Sequence, residues 1–230
     1  MLTLKPERLD AEDFREQPIA LCGKAFIADQ TGALYWPGID ALIVADLRLG
    51  SRDAFETLSR LAGLLDRRPA STVIALGTGI SASARAATSS LAPSDREALR
   101  ILQEGRDWIW ITGDRDAAAH APRLGGHAVD ALTVEGITLR HTPRLGPITH
   151  EIAAHLSPAA RVSRLGHTIR RPCFVGNGQR LILPAFGAFT GGLNILDAAF
   201  EPLFGNGGLK VWMMGQEGLY PIASRLLRAD

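Results

Sequence analysis

Lysine is scarce in this chain. Of 25 basic residues only Lys5, Lys24 and Lys210 are lysines, and the rest are arginines. That bias reads first as codon composition and second as phosphate recognition, for which the planar guanidinium is the better fork. Cysteine is nearly absent. Cys22 and Cys173 lie far apart, outside any C-x-x-C or His-adjacent pattern, which argues against a disulfide framework and predicts a reduced pair in apolar strands. Charge of one sign is missing too. The net charge of +1 supplies no overall field favouring nucleic acid, acidic partners or an anionic membrane. Long apolar runs are also lacking. The most apolar stretch, 181–200, contains Pro184, glycines and Asp197, so it reads as buried strand plus turn and not as a membrane span. Lys5, Glu7, Arg8 and Asp10 leave no apolar h-region near the start. No signal peptide is expected, and the expected location is cytoplasmic. Ser51, Ser89 and Ser157 lack a nucleophile-elbow pattern, so serine hydrolase chemistry has no support.

What remains is ordinary globular material, 46% apolar and 21% charged over 230 residues. It suits one α/β domain spanning 1–230 with a sizeable core. Ala41 to Ala45 is an apolar run of the kind seen in strands buried on both faces. Leu34 to Trp36 can pair with it through a Pro37-Gly38 turn. Phe55, Leu58, Ala62 and Leu65 share one face of a predicted helix over 53–67. Thr72 to Leu76 reads as the next strand, and 81–92 as a loop. A helix over 93–105 is predicted to start in a capping box of Ser94 and Glu97 and to stop at Gly105. Trp108 to Thr112 is a third strand, and the β-α-β-α-β series implies a largely parallel sheet. Beyond Ala131 the segments 137–141, 168–174, 179–183, 210–214 and 219–222 read as short strands. Asn177-Gly178 is a hairpin turn between two of them, and this second half completes a sandwich. His120, His127, His150 and His167 read as loop or surface residues. Gly205 to Gly208 is a loop without a strand–helix context for phosphate binding. Arg161, Arg164, Arg170 and Arg171 make a basic edge that reads as a solvated face.

Ligands of open α/β sheets gather outside the carboxyl ends of the strands. Asp46, Thr78 and Asp114 each follow a predicted strand closely, so they should converge at one edge. His141 follows another strand, and His155 sits in a loop that can reach back to the same place.

Five segments carry this pattern: Ala45-Asp46-Leu47-Arg48-Leu49-Gly50, Leu76-Gly77-Thr78, Thr112-Gly113-Asp114-Arg115-Asp116, Arg140-His141-Thr142-Pro143 and Ala154-His155-Leu156-Ser157-Pro158. In their order they resemble the D-x-H, G-D, G-N-H-D, lone His and G-H-x-H motifs of calcineurin-like metallophosphoesterases. Ala33-Leu34-Tyr35-Trp36-Pro37, Arg170-Arg171-Pro172-Cys173-Phe174 and Leu183 to Leu193 narrow the resemblance. They point to the bacterial group associated with a DNA ligase and described as DNA-damage-response endonucleases. The resemblance implies a four-layer αββα sandwich with mixed sheets. It implies a two-metal phosphoester hydrolase as the ancestral chemistry, and DNA or DNA-repair proteins as partners.

Carried over residue by residue, Asp46 stands at the first-metal carboxylate. Arg48 replaces that metal's His, and Thr78 the bridging Asp. Asp114 replaces the second metal's Asn, and Arg115 the His that assists water or leaving group. Asp116 stands where that His has its orienter. His141 and His155 match the second-metal histidines, and Ser157 replaces the last first-metal His. Leaving aside the orienter Asp116, five of eight chemical positions differ, and a guanidinium cannot ligate. Three readings stay open. Arg48 and Arg115 can replace the lost cations as forks to Asp46, Asp114 or Asp116, giving a metal-free, salt-bridged pocket and a binding or scaffold protein. Asp114, His141 and His155 can hold a single divalent ion such as Mn or Zn and retain hydrolysis. Or the two arginines bind an anion without cleaving it.

Overall fold

The computed structural model describes residues 14–49, 51–77, 91–112, 124–164, 167–187, 191–205 and 208–230. Two mixed sheets and few helices make up the chain. The first sheet starts with a meander of β1 (Glu16–Leu21), β2 (Lys24–Asp29), β3 (Leu34–Trp36) and β4 (Ala41–Ala45), each antiparallel to the next. It continues in parallel through β5 (Thr72–Leu76), β6 (Asp107–Ile111) and β7 (His127–Val129). The expectation of a largely parallel sheet therefore holds for one half only. The β1–β2 hairpin carries no Asn-Gly signal. Its turn is Cys22-Gly23, with φ of 49° and 79°, and a cysteine seldom takes the left-handed position that such turns require.

Helix α1 (Ala54–Arg67) joins β4 to β5, and α2 (Pro93–Gln103) precedes β6. The predicted capping box is not formed. Pro93 takes the first helical position behind Ala92, which puts Ser94 inside the helix, where its hydroxyl contacts Asp95 at 3.4 Å. Glu97 instead pairs with Arg100. The predicted loop over 81–92 lies almost wholly outside the described residues.

The second sheet runs in the order β15-β14-β12-β13-β10-β9-β8. Its members are β8 (Ala131–Val134), β9 (Ile137–Arg140), β10 (Glu151–Ala153), β12 (His167–Gly176), β13 (Arg180–Ile182), β14 (Lys210–Met214) and β15 (Leu219–Ile222). Strand β11 (Ala159–Arg164) lies off this path and pairs with β12. The Asn177-Gly178 turn joins β12 to β13 as expected, with Gly178 at φ 86°. Strands β7, β8 and β10 have only three or four residues, too few for alternation to stand out.

Period-two alternation sorts the core. Ala41, Ile43 and Ala45 of β4 share one buried cluster with Leu139, Ile152, Phe174, Leu181 and Leu219 of the second sheet. Leu42 and Val44, pointing the other way, pack with Leu58, Leu61 and Leu65 of α1 and with Leu99 of α2. On the far side of the second sheet, Cys173, Val175 and Ile182 pack with Phe200, and with Leu203 and Phe204 of the short helix α3 (Glu201–Phe204). Among the described residues no helix is long and apolar enough to cross a membrane.

One charged pair sits inside this core. Glu151 and Arg180 are 1% and 0% exposed. Arg180 Nε lies 2.7 Å from Glu151 Oε2, but neither atom has a well-aimed hydrogen bond. The guanidinium is turned so that its outer nitrogens donate to carbonyls: Leu203 at 2.6 Å, Arg144 at 2.7 Å and Gly146 at 3.3 Å. Burial pushes the Arg180 pKa below the usual arginine range, opposed by Glu151. Breaking such a pair leaves an unpaired buried charge, which costs about 3–5 kcal/mol. Arg180→Met should lower stability by about that amount in chemical denaturation. The Glu151→Leu, Arg180→Met double variant should lose less than the sum of the single losses. Cys173 is fully buried and burial pushes its thiol far up, whereas Cys22 is half-buried. An aromatic disulfide reagent should therefore label one cysteine, Cys22, in the folded chain and both in urea.

Candidate functional site at the strand ends

The carboxyl ends of β4 and β5 are locked side by side. The Asp46 N–H donates to the Leu76 carbonyl at 3.0 Å, and the Gly77 N–H to that of Ile111 at 2.7 Å. The second sheet brings its own loops to this edge. Ala154 and His155 N–H groups both donate to the His141 carbonyl, at 3.1 and 2.8 Å. These two hydrogen bonds tie the loop after β9 to the loop after β10.

Three predicted positions meet here directly. His141 Nε2 lies 2.9 Å from Asp46 Oδ1, and the Ser157 hydroxyl donates to Asp46 Oδ2 at 2.8 Å. His155 stands beside them, its ring 5.7 Å from that of His141 at 65°. His155 is exposed, while Asp46, His141 and Ser157 are half-buried. Each Asp46 oxygen thus has a protein partner, which spares a half-buried carboxylate the cost of being left unsatisfied. Arg48 is exposed two residues further on. Thr78, Asp114, Arg115 and Asp116 lie outside the described residues.

The backbone at this edge is strained. Asp46, Arg48, Leu156 and Ser157 have φ of 48°, 49°, 87° and 42°. They are half of the eight described non-glycine residues with positive φ. Such conformations cost of order 1–3 kcal/mol each and cluster at functional sites. Two glycines make the close approaches possible. A Cβ on Gly77, which has φ 89°, would fall 2.7 Å from the His141 ring and 3.0 Å from Asp46 Oδ1. A Cβ on Gly192 would fall 1.9 Å from the Ser157 carbonyl oxygen.

Sequence reasoning passes over Glu151, Arg180 and Gly192 as parts of this site. Glu151 accepts from the Arg144 N–H at 3.2 Å and lies 3.6 Å from Arg140 Nε. With the Arg180 bonds to Arg144 and Gly146, this fixes both flanks of His141. No local signal marks either residue, because both read as ordinary strand-end charges.

The donor set decides which metals fit. Where the resemblance puts a first-metal site, Ser157 offers Asp46 a proton and Arg48 is a guanidinium, and neither of these two side chains supplies a ligand nitrogen. At the second, His141 and His155 are close enough to share one ion, but His141 Nε2 is engaged by Asp46. Among the described residues no group of three His, Cys, Asp or Glu could hold a metal.

No protein-family model matches this chain, and no curated protein matches it. Among solved structures, the crystal structure of the Pseudomonas putida nuclease MPE superimposes with a TM-score of 0.70 at 30% identity. The match covers 90% of this chain and 100% of that one. Gly77→Ala tests the site's geometry. It should push the His141 ring off Asp46 and cost about 1–3 kcal/mol. The readout is a changed His141 imidazole nitrogen resonance, with His127 as an unaffected reference.

Proposed function

Because the chain belongs to one family with the Pseudomonas putida nuclease MPE, we propose that it is a metallophosphoesterase-fold protein that binds nucleic acid but has lost two-metal hydrolysis. The reading takes 1–230 as one four-layer αββα domain of the DNA-ligase-associated group, cytoplasmic, with DNA or DNA-repair proteins as partners. One observation carries it: both oxygens of the Asp46 carboxylate are engaged by the protein, by Ser157 and by His141. A first-metal ion would have to share or displace these contacts: the Ser157 hydroxyl donates to one oxygen and His141 approaches the other, so the carboxylate has protein partners without an ion.

What the chain's own residues do follows from this. Ser157 and His141 hold Asp46 in place. Gly77 lets His141 approach it, and His155 is left facing solvent beside His141. A phosphate entering this edge would meet the His155 imidazole and the Arg48 guanidinium, groups that orient an anion. The second reading, an active phosphoesterase with one ion at Asp114, His141 and His155, is favoured by the 5.7 Å approach of the two imidazoles. A bound ion there would act as a Lewis acid on a phosphoryl oxygen.

Metal stoichiometry separates the two. After incubation with excess Mn²⁺ or Zn²⁺ and exhaustive desalting, mass spectrometry should find close to no ions per chain. A generic phosphodiester should be hydrolysed no faster with metal than without. One tightly held ion, lost in His141→Ala together with metal-dependent hydrolysis, would establish the second reading instead. Arg48→His, Thr78→Asp, Arg115→His and Ser157→His combined should bring metal binding back on the same scaffold.

A further inference from the structure

Strands β11 and β12 form a ribbon that leaves the second sheet. The first part of β12, through Pro172, pairs with β11, and only Cys173 onward pairs with β13 and β14. On this ribbon Arg161 and Arg170 are direct cross-strand partners. Like charges placed opposite each other destabilise a ribbon, so the arrangement asks for an anion. The same face continues with Ser163 and Thr168, whose hydroxyls are 2.9 Å apart.

The tail completes the patch. Leu227 bridges to Val162, and the Arg228 N–H donates to the Arg161 carbonyl at 2.8 Å. Arg225 and Arg228 are exposed on it. Arg161 donates to the Ala229 carbonyl at 2.7 Å, and Arg170 Nε lies 3.2 Å from Asp230 Oδ1. Among the described side chains on the Arg161–Arg170 face of the ribbon and of 223–230, one carboxylate, Asp230, stands against Arg161, Arg170, Arg225 and Arg228. The Asp230 carboxylate is itself 53% exposed, so solvent screens its hold on Arg170.

The ribbon also touches the strand-end site. Arg170 Nη2 donates to the Gly192 carbonyl at 2.6 Å, and Gly192 lies against the Ser157 backbone. From Arg161 to Asp46 the path is continuous: Arg161, Arg170, Gly192, Ser157, Asp46.

We propose that the Arg161–Arg170 face of this ribbon grips the phosphodiester backbone of a nucleic-acid strand and leads it to the Ser157 edge. This rests on the nuclease-family reading above. The recognition is of phosphate and carries no base specificity, since guanidinium forks aimed at backbone oxygens read no sequence. A strand bound here exchanges condensed counterions for arginine side chains, so affinity falls with salt. Asp230 competes with the phosphates for Arg170.

The test is fluorescence anisotropy with a 20-nucleotide single strand and the matching duplex, over a salt series, on the full chain. Wild type should bind at least one of the two, and whichever binds tighter is the form the ribbon fits. Arg161→Ala with Arg170→Ala should weaken binding about tenfold or more at low salt, and make the log–log salt slope shallower by about 1 for each arginine removed. Asp230→Asn loosens the same tail but removes the competing charge, so it should tighten binding. If tail packing were the cause, both variants would weaken binding alike, and that result overturns the proposal. Arg60→Ala, on α1 and paired with Glu56, should change nothing. Binding that survives the double variant with its slope intact overturns the ribbon while leaving the family reading standing. A wild type that binds neither probe overturns both.

Discussion

The apolar contact between the two sheets governs this structure. Ile43, Ile74 and Ile111 of the first sheet and Leu139, Ile152 and Phe174 of the second bury into one cluster. Removing that area from water is the dominant favourable term in such a fold. It also has a geometric consequence. Once the faces are pressed together, the ends of β4 and β5 lie next to the loops after β9 and β10. Asp46 and His141, 95 positions apart in the chain, then come within hydrogen-bonding distance. The polar edge is where it is because the apolar interior leaves no choice.

Around that edge the chain gives its carboxylates donors and cations. Asp46 has a hydroxyl and an imidazole, and Glu151 accepts from a backbone N–H and lies beside two arginines. A half-buried carboxylate needs donors or cations wherever it sits. In a two-metal enzyme the cations are divalent ions. In this chain Ser157 and His141 give the Asp46 oxygens protein partners, and a shared fold alone does not assign an activity.

The buried Glu151–Arg180 pair has a comparable double character. As a contributor to stability a buried pair is weak, because desolvation offsets much of the attraction. Its use here is positional. By holding Arg144, Gly146 and Leu203 carbonyls together, Arg180 anchors the loop that carries His141 to α3. The strained residues at 46, 48, 156 and 157 persist because such anchors over-determine the backbone around them.

Much of this is legible in the residues themselves. Helical spacing locates α1, and short apolar runs locate β4, β5, β6, β9 and β12 to β15, because such patterns are local properties of the sequence. The order of strand-end motifs predicts that Asp46, Thr78, Asp114, His141 and His155 share one edge; Asp46, His141 and His155 are the members of that set among the described residues, and Ser157 is indicated by the family resemblance alone. Short strands such as β7 and β10 are not legible, nor is the Cys22-Gly23 turn, since three residues hold too little pattern and cysteine is a poor turn signal. Which donors Asp46 accepts, that Glu151 and Arg180 are buried together, and that Arg161 faces Arg170 were decided by tertiary structure alone. Each depends on distances across the two sheets or on the register of one ribbon, and neither is encoded in any local run of side chains.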